Sequence, residues 1–156
     1  MPLDKRIRSR LVDALYGTPI VVSRLLVHTP PHLPPWDYRA SVERFSLREV
    51  VAHLADYDRV WLEYLSAALD SEHGPAEVTA YTPEERALEY DYANAIPSES
   101  LTKFTLTRQK WVSLLPGLES EDWQTRAIHS PRHGLRTVEE LATQVLAHGG
   151  YHTRQL

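Results

Sequence analysis

The sequence predicts an all-α fold: an antiparallel four-helix bundle with a short extra helix and a long loop before the last helix. Two observations predict it. Apolar residues recur at three- and four-residue spacing through four long stretches. Three capping boxes, Ser46-Leu47-Arg48-Glu49, Thr82-Pro83-Glu84-Glu85 and Thr137-Val138-Glu139-Glu140, mark helix starts. No internal repeat, low-complexity tract or convincing strand pair competes with this reading. The 156 residues fit one domain spanning 1–156. A domain of that size buries roughly 68–70% of the surface of its unfolded chain.

The first helix opens near Asp4, an acceptable N-cap, and carries Ile7, Leu11, Leu15, Val22 and Leu25 or Leu26 on its inward face. Gly17 and Pro19 predict a kink or break within it. The connector His28–Pro35 contains four prolines and ends it. The second helix starts at the Ser46 box, turns Val50, Leu54, Tyr57, Trp61 and Leu65 inward, and runs to about Leu69. Ser71-Glu72-His73-Gly74-Pro75 stops it. The Thr82 box, with proline at N1, opens a short helix to about Tyr92.

The third long helix begins near Ser98, with Leu101, Phe104, Trp111 or Val112, and Leu115 on one face, and Pro116-Gly117 ends it. From Glu119 to Arg136 the chain is polar and reads as a long ordered loop anchored by Trp123. The last helix places Val138, Leu141, Val145, His148 and His152 at spacings of three, four, three and four, a coiled-coil-like seam. Both histidines stand where a bundle core expects leucine.

Composition narrows the function. The net charge of -4, from 17 basic and 21 acidic side chains, argues against nucleic acid as the main partner. With no cysteine there is no disulfide, thiolate ligand or cysteine nucleophile, so a metal site must use His, Asp, Glu or water. No apolar run approaches the roughly 20 residues of a membrane span. The basic N-terminus lacks the apolar stretch of a signal peptide, which makes the cytoplasm the expected location. There is no P-loop, no Gly-x-Gly-x-x-Gly and no Gly-x-Ser-x-Gly.

His53, His148 and His152 carry the chemistry. Residues four apart on a helix share a face, roughly 5–6 Å between Cβ atoms. Two imidazoles at that spacing can converge on one ion, and His53 can meet them from a facing helix, as metal sites in bundle cores are commonly built. Three protein ligands with an open position characterise a catalytic metal. Gly149 and Gly150 lie between the last two ligands; the reading requires the helix to continue through them, glycine also allowing a neighbouring helix to approach closely. The pattern is not that of a His-Glu-x-x-His protease, since Gly149 follows the first histidine.

The stretches Phe45-Ser46-Leu47-Arg48-Glu49-Val50-Val51-Ala52-His53-Leu54-Ala55-Asp56 and Ala147-His148-Gly149-Gly150-Tyr151-His152-Thr153-Arg154-Gln155-Leu156 resemble the DinB-like (DinB/YfiT) superfamily of metal-dependent enzymes. Weaker matches are Gly17-Thr18-Pro19, Arg108, Asp122-Trp123 and His129-Ser130-Pro131 leading to Gly134. The resemblance implies a four-helix bundle in which His53, His148 and His152 hold a divalent metal, typically zinc or nickel. It also implies thiol-dependent S-transferase or isomerase chemistry with a low-molecular-weight thiol such as bacillithiol or mycothiol, a small-molecule substrate, and a homodimer. One departure is Gly149, where members often carry aspartate.

Three further residues are candidates for the site. Arg108 points along the apolar stripe, either as a snorkelling side chain with its head in water or as an anion clamp or partner for Asp56, Asp58 or Glu63. Tyr57, one turn from His53, is a core residue or places its hydroxyl near a metal-bound water. His129 is solvated, like His133, or borders a substrate pocket if its loop folds over the bundle end. Tyr151 is expected to pack beside the last helix, and His28, His32 and His73 are assigned no role. A metal-dependent transferase leads these readings. A metal-dependent hydrolase, a non-catalytic metal- or ligand-binding dimeric bundle, and a purely structural scaffold are the alternatives.

Overall fold

The computed structural model describes residues 1–27 and 34–156. His28, His32 and most of the proline-rich connector lie outside the described residues. The elements are α1 (Lys5–Leu26), α2 (Leu47–Asp70), β1 (Ala76–Glu77), α3 (Pro83–Glu89), α4 (Pro97–Leu114), α5 (Asp122–Thr125), β2 (Ala127–Ser130), β3 (Gly134–Thr137) and α6 (Val138–Thr153).

Four long helices form the expected four-helix bundle, with α2 and α6 antiparallel as expected but α1 and α6 parallel. Helix α1 packs on α4 and α6, and α2 packs on the same two from the other side. Leu3 and Arg8 meet Glu139 while Thr18 lies beside Gly149, so α1 and α6 run in the same direction. His53 lies against His148 and His152, and Tyr57 against Gln144, so α2 runs antiparallel to α6.

The three capping boxes form with both reciprocal hydrogen bonds, at Ser46/Glu49, Thr82/Glu85 and Thr137/Glu140. Asp4 caps α1 through Ile7 N–H. On α1, Leu11, Leu15, Val22 and Leu26 are buried, but Ile7 and Leu25 are exposed and Arg8 turns inward instead. Arg8 is held there by Glu139 and by the face of Trp123. Trp111, not Val112, occupies the core position of α4.

Two expectations are corrected. Helix α1 is not broken at Gly17 and Pro19; it runs through both. Pro19 has no N–H to give the Leu15 carbonyl one turn earlier. That carbonyl accepts instead from Arg108 Nη1 at 3.2 Å, so a neighbouring helix supplies the missing donor. The polar segment before α6 is not a plain loop either. It holds α5 and the hairpin β2–β3, and β1 joins β2 in parallel to give a three-stranded sheet in the order β1-β2-β3. Gly134 closes the hairpin in the left-handed region at φ 64°. Trp123 is buried beneath this segment, as expected of its anchor.

The core is divided. One apolar cluster gathers Leu11, Leu15, Trp61, Leu65, Trp111, Leu141 and Val145, and another gathers Val22, Val51, Leu54, Ala55 and Phe104. Between them lies a polar layer. Arg108 and Asp58 form an ion pair with side chains only 1% and 0% exposed, which overturns the snorkelling reading of Arg108. Arg108 Nη2 also donates to the Val145 carbonyl at 3.0 Å, tying α1, α2, α4 and α6 together at one level.

This layer explains Gly149. A Cβ added there would stand 2.7 Å from Arg108 Nη2, whereas one added at exposed Gly150 would meet nothing within 4 Å. Gly150→Ala is therefore expected to stabilise the fold by up to about 1 kcal/mol through helix propensity. Gly149→Ala gains the same propensity but must displace a guanidinium locked by Asp58, an overpacking cost of about 1–3 kcal/mol. Urea unfolding checks the opposite signs; two shifts of the same sign would refute this account of the layer.

Candidate metal centre

Helix α6 continues through Gly149 and Gly150, so His148 and His152 share one face, and α2 brings His53 across to them. One ring nitrogen from each of the three falls within 4.8 Å of the others. The His53 and His148 Nε2 atoms are 2.9 Å apart. Ring centroids lie 4.9 Å apart for His53 and His152 and 4.5 Å apart for His148 and His152, with the planes steeply tilted. The three rings meet edge to face instead of stacking.

Each ring is held from outside. The Nδ1 of His152 bonds Gln155 Oε1 at 2.6 Å; the amide oxygen can only accept, so Nδ1 carries the proton and the Nε2 lone pair is left for the centre. Tyr57 lies flat on His148, with centroids 3.5 Å apart and planes 8° apart. Its hydroxyl accepts from Gln144 at 3.3 Å. Phe45 packs 5.5 Å from the His53 ring.

Burial keeps all three imidazoles neutral. Desolvation, reinforced by the charge that His152 would carry, holds His53 down to about 4. Desolvation and the neighbouring His53, His152 and Arg108 hold His148 down to about 2. Desolvation also lowers His152, against the opposing effect of its hydrogen bond to Gln155 Oε1. Neutral imidazole is the ligand form. The His148 Nδ1 is buried with no hydrogen-bond partner. Three neutral imidazoles, with the His148 Nδ1 left unpartnered beside them, fit a divalent cation, which imidazole ligands suit.

A narrow cleft of about 80 Å³ opens beside His53 along α2. Its walls include Tyr57, Trp61, Tyr64 and Tyr92, with Asp56 and Arg86 between them and Arg132 and His133 on its border. Asp56 accepts from Arg86 at 2.6 and 2.7 Å, from Arg59 at 3.1 Å, and from the Tyr92 hydroxyl. These donors outweigh desolvation and hold its carboxyl below the usual carboxylate range. Arg86 in turn lies over the Tyr90 ring at 3.9 Å.

The other candidates fall in different places. Arg108 sits in the polar layer against Gly149, behind the ligands, paired with Asp58 as one of the sequence readings had it. His129 faces away from the cleft: on β2 it stands opposite Glu77, and its Nδ1 meets that carboxylate at 2.9 Å on the outside of the sheet. His133, at the hairpin turn, takes the bordering position instead, its ring 5.2 Å from Trp61. Strand alternation and the turn decide which histidine looks inward, and neither was visible without the hairpin. Tyr151 is mostly exposed, its ring 5.0 Å from His152. Gln155 and the Asp56–Arg86–Tyr92 network were missed. The only signal for Gln155 was its position three residues after His152, on the same helical face.

The family model of the DinB superfamily matches residues 27–156. Among solved structures the fold is similar to YfiT from Bacillus subtilis, described as a probable metal-dependent hydrolase with an unusual four-helix bundle topology. The TM-score is 0.84 at 20% identity, covering 97% of this chain and 84% of that one. A comparison with curated proteins returns no match.

Proposed function

The chain belongs to the DinB superfamily, and from that membership and its converged imidazoles we propose a metal-dependent enzyme acting on a small molecule, with a divalent cation on His53, His148 and His152. The observation that carries this reading is the meeting of three neutral ring nitrogens from two helices beside a cleft. When bound, a cation there supplies Lewis acidity, lowering the pKa of a water or thiol in its open position.

The chain's own residues do the rest. Gln155 fixes the tautomer of His152, and the Tyr57 ring holds the plane of His148. The aromatic walls keep bulk water from the reacting atoms. Asp56, the carboxylate lining the cleft, is committed to Arg86, Arg59 and Tyr92 and is a poor proton acceptor. That supports a nucleophile needing no carboxylate base. A low-molecular-weight thiol such as bacillithiol or mycothiol meets the condition, and an S-transferase using zinc or nickel is the reading we favour. Hydrolysis is the second reading, favoured by the description of YfiT.

Metal analysis of untagged protein tests the proposal, followed by thiol consumption with an electrophile and ester hydrolysis in parallel. Stoichiometric divalent metal and thiol consumption abolished by chelation are expected. Metal-dependent hydrolysis without thiol consumption would select the second reading. A metal-free protein, or turnover indifferent to chelation, would overturn both. The homodimer that the family resemblance implies is read from sedimentation of the same samples.

A further inference from the structure

We propose that the tip of the β2–β3 hairpin, Arg132 with His133, is the specificity-determining end of the cleft, and that it selects substrates carrying an anionic group remote from the reacting atom. This rests on the metal-enzyme reading for the identity of the reacting end, and on separate observations for the anionic end.

The cleft has a direction. His53, Tyr57 and Trp61 step along one face of α2, and eight residues at 1.5 Å rise set Trp61 about 12 Å from His53. Arg132 and His133 border the cleft at the Trp61 end. A substrate reacting at the histidines reaches the hairpin by extending along about two turns of α2.

The tip is positioned, not merely exposed. β2 and β3 pair in register from Ala127↔Thr137 to Ser130↔Gly134. The His133 N–H donates to Ser130 Oγ at 3.1 Å, and Ser130 is fully buried. The His133 ring stands edge-on to Trp61 and lies 6.3 Å from Tyr64. Wedged there, it fixes the backbone from which Arg132 reaches.

The charge at that end is uncompensated within the cleft. Arg132 forms no ion pair or hydrogen bond among the described residues. The carboxylate lining the cleft, Asp56, is already shared among Arg86, Arg59 and Tyr92. Glu85, which also feels Arg132, has a carboxylate oxygen committed to the Thr82 N–H in the capping box. Guanidinium binds carboxylate and phosphate through paired N–H donors, so the ligand group is a carboxylate or phosphate. Tyr57, Trp61 and Tyr64 form an aromatic wall of the cleft between the two ends, suited to a flat or slender apolar body.

The probe is 4-phenylbutyrate against its neutral amide, 4-phenylbutyramide, titrated by calorimetry into zinc-loaded and zinc-free protein. Wild type is expected to bind the carboxylate about tenfold tighter than the amide in both forms. Arg132→Gln should abolish the preference, while Arg136→Gln, the same charge change outside the cleft, should keep it. Equal binding of the two probes by wild type, binding of neither, or a preference surviving Arg132→Gln would overturn the proposal. A preference confined to zinc-loaded protein and surviving Arg132→Gln would place the carboxylate on the metal instead, which also overturns it. Because the zinc-free arm reads the hairpin alone, failure of the metal-enzyme reading is seen separately, as absence of bound zinc.

Discussion

His148→Ala is expected to lose both the bound divalent cation and turnover. At a zinc concentration one hundred times its dissociation constant, the wild-type protein should gain about 2.7 kcal/mol of unfolding free energy, because the ion binds the folded chain alone. For a chain of this length that is a rise in Tm of roughly 5–10 °C. Without His148 the remaining nitrogens come from two separate helices, and one of them faces an empty place. The zinc-dependent rise should vanish, and thiol consumption or hydrolysis with it. Gln155→Leu provides a graded companion. Loss of an outer hydrogen bond to a ligating histidine costs about 10–100-fold in metal affinity. At the same zinc concentration the gain should then fall to about 0.4–1.4 kcal/mol. Thermal melts with and without zinc check both variants. A wild-type melt indifferent to zinc, or a His148→Ala melt that still responds fully, would remove the three-histidine centre from consideration.

The centre was legible because its geometry is mostly local. The seam Val138, Leu141, Val145, His148, His152 follows from helical period alone, and it is the face that α6 buries or half-buries. The capping boxes fixed the helix starts for the same reason: donor and acceptor lie three residues apart. What escaped depends on distant partners. β2 and β3 are four residues each, too short for alternation to show, and β1 reaches β2 from fifty residues earlier. The inward turn of Arg8 in place of Ile7 needs Glu139 and Trp123, neither near it in the chain. Pro19 was a reasonable break signal, since it has no N–H for the Leu15 carbonyl one turn earlier. The donor comes from position 108, and only the packed bundle reveals it.

That donor sets the largest stability effect expected outside the histidines. Arg108→Met leaves Asp58 fully buried beside an apolar side chain, and breaking a buried ion pair from one side costs about 3–5 kcal/mol. Burial already pushes the Asp58 carboxyl up to about 6 against the pull of Arg108, so the pair is compensated but not comfortable. Replacing both partners, Arg108→Met with Asp58→Leu, removes the stranded charge, and exchange of such pairs for apolar side chains is often neutral or better. Full recovery is not expected here. The Leu15 carbonyl would still lack a donor, because Pro19 cannot provide one, and an unsatisfied buried acceptor costs about 1–3 kcal/mol. Adding Pro19→Ala to the double variant restores a backbone N–H to that carbonyl and should recover this remainder. Urea unfolding of the single, double and triple variants separates the contributions. A loss below about 1 kcal/mol for Arg108→Met, or a triple variant no better than the double, would mean that Arg108 does not serve as the surrogate donor that keeps α1 continuous through its proline.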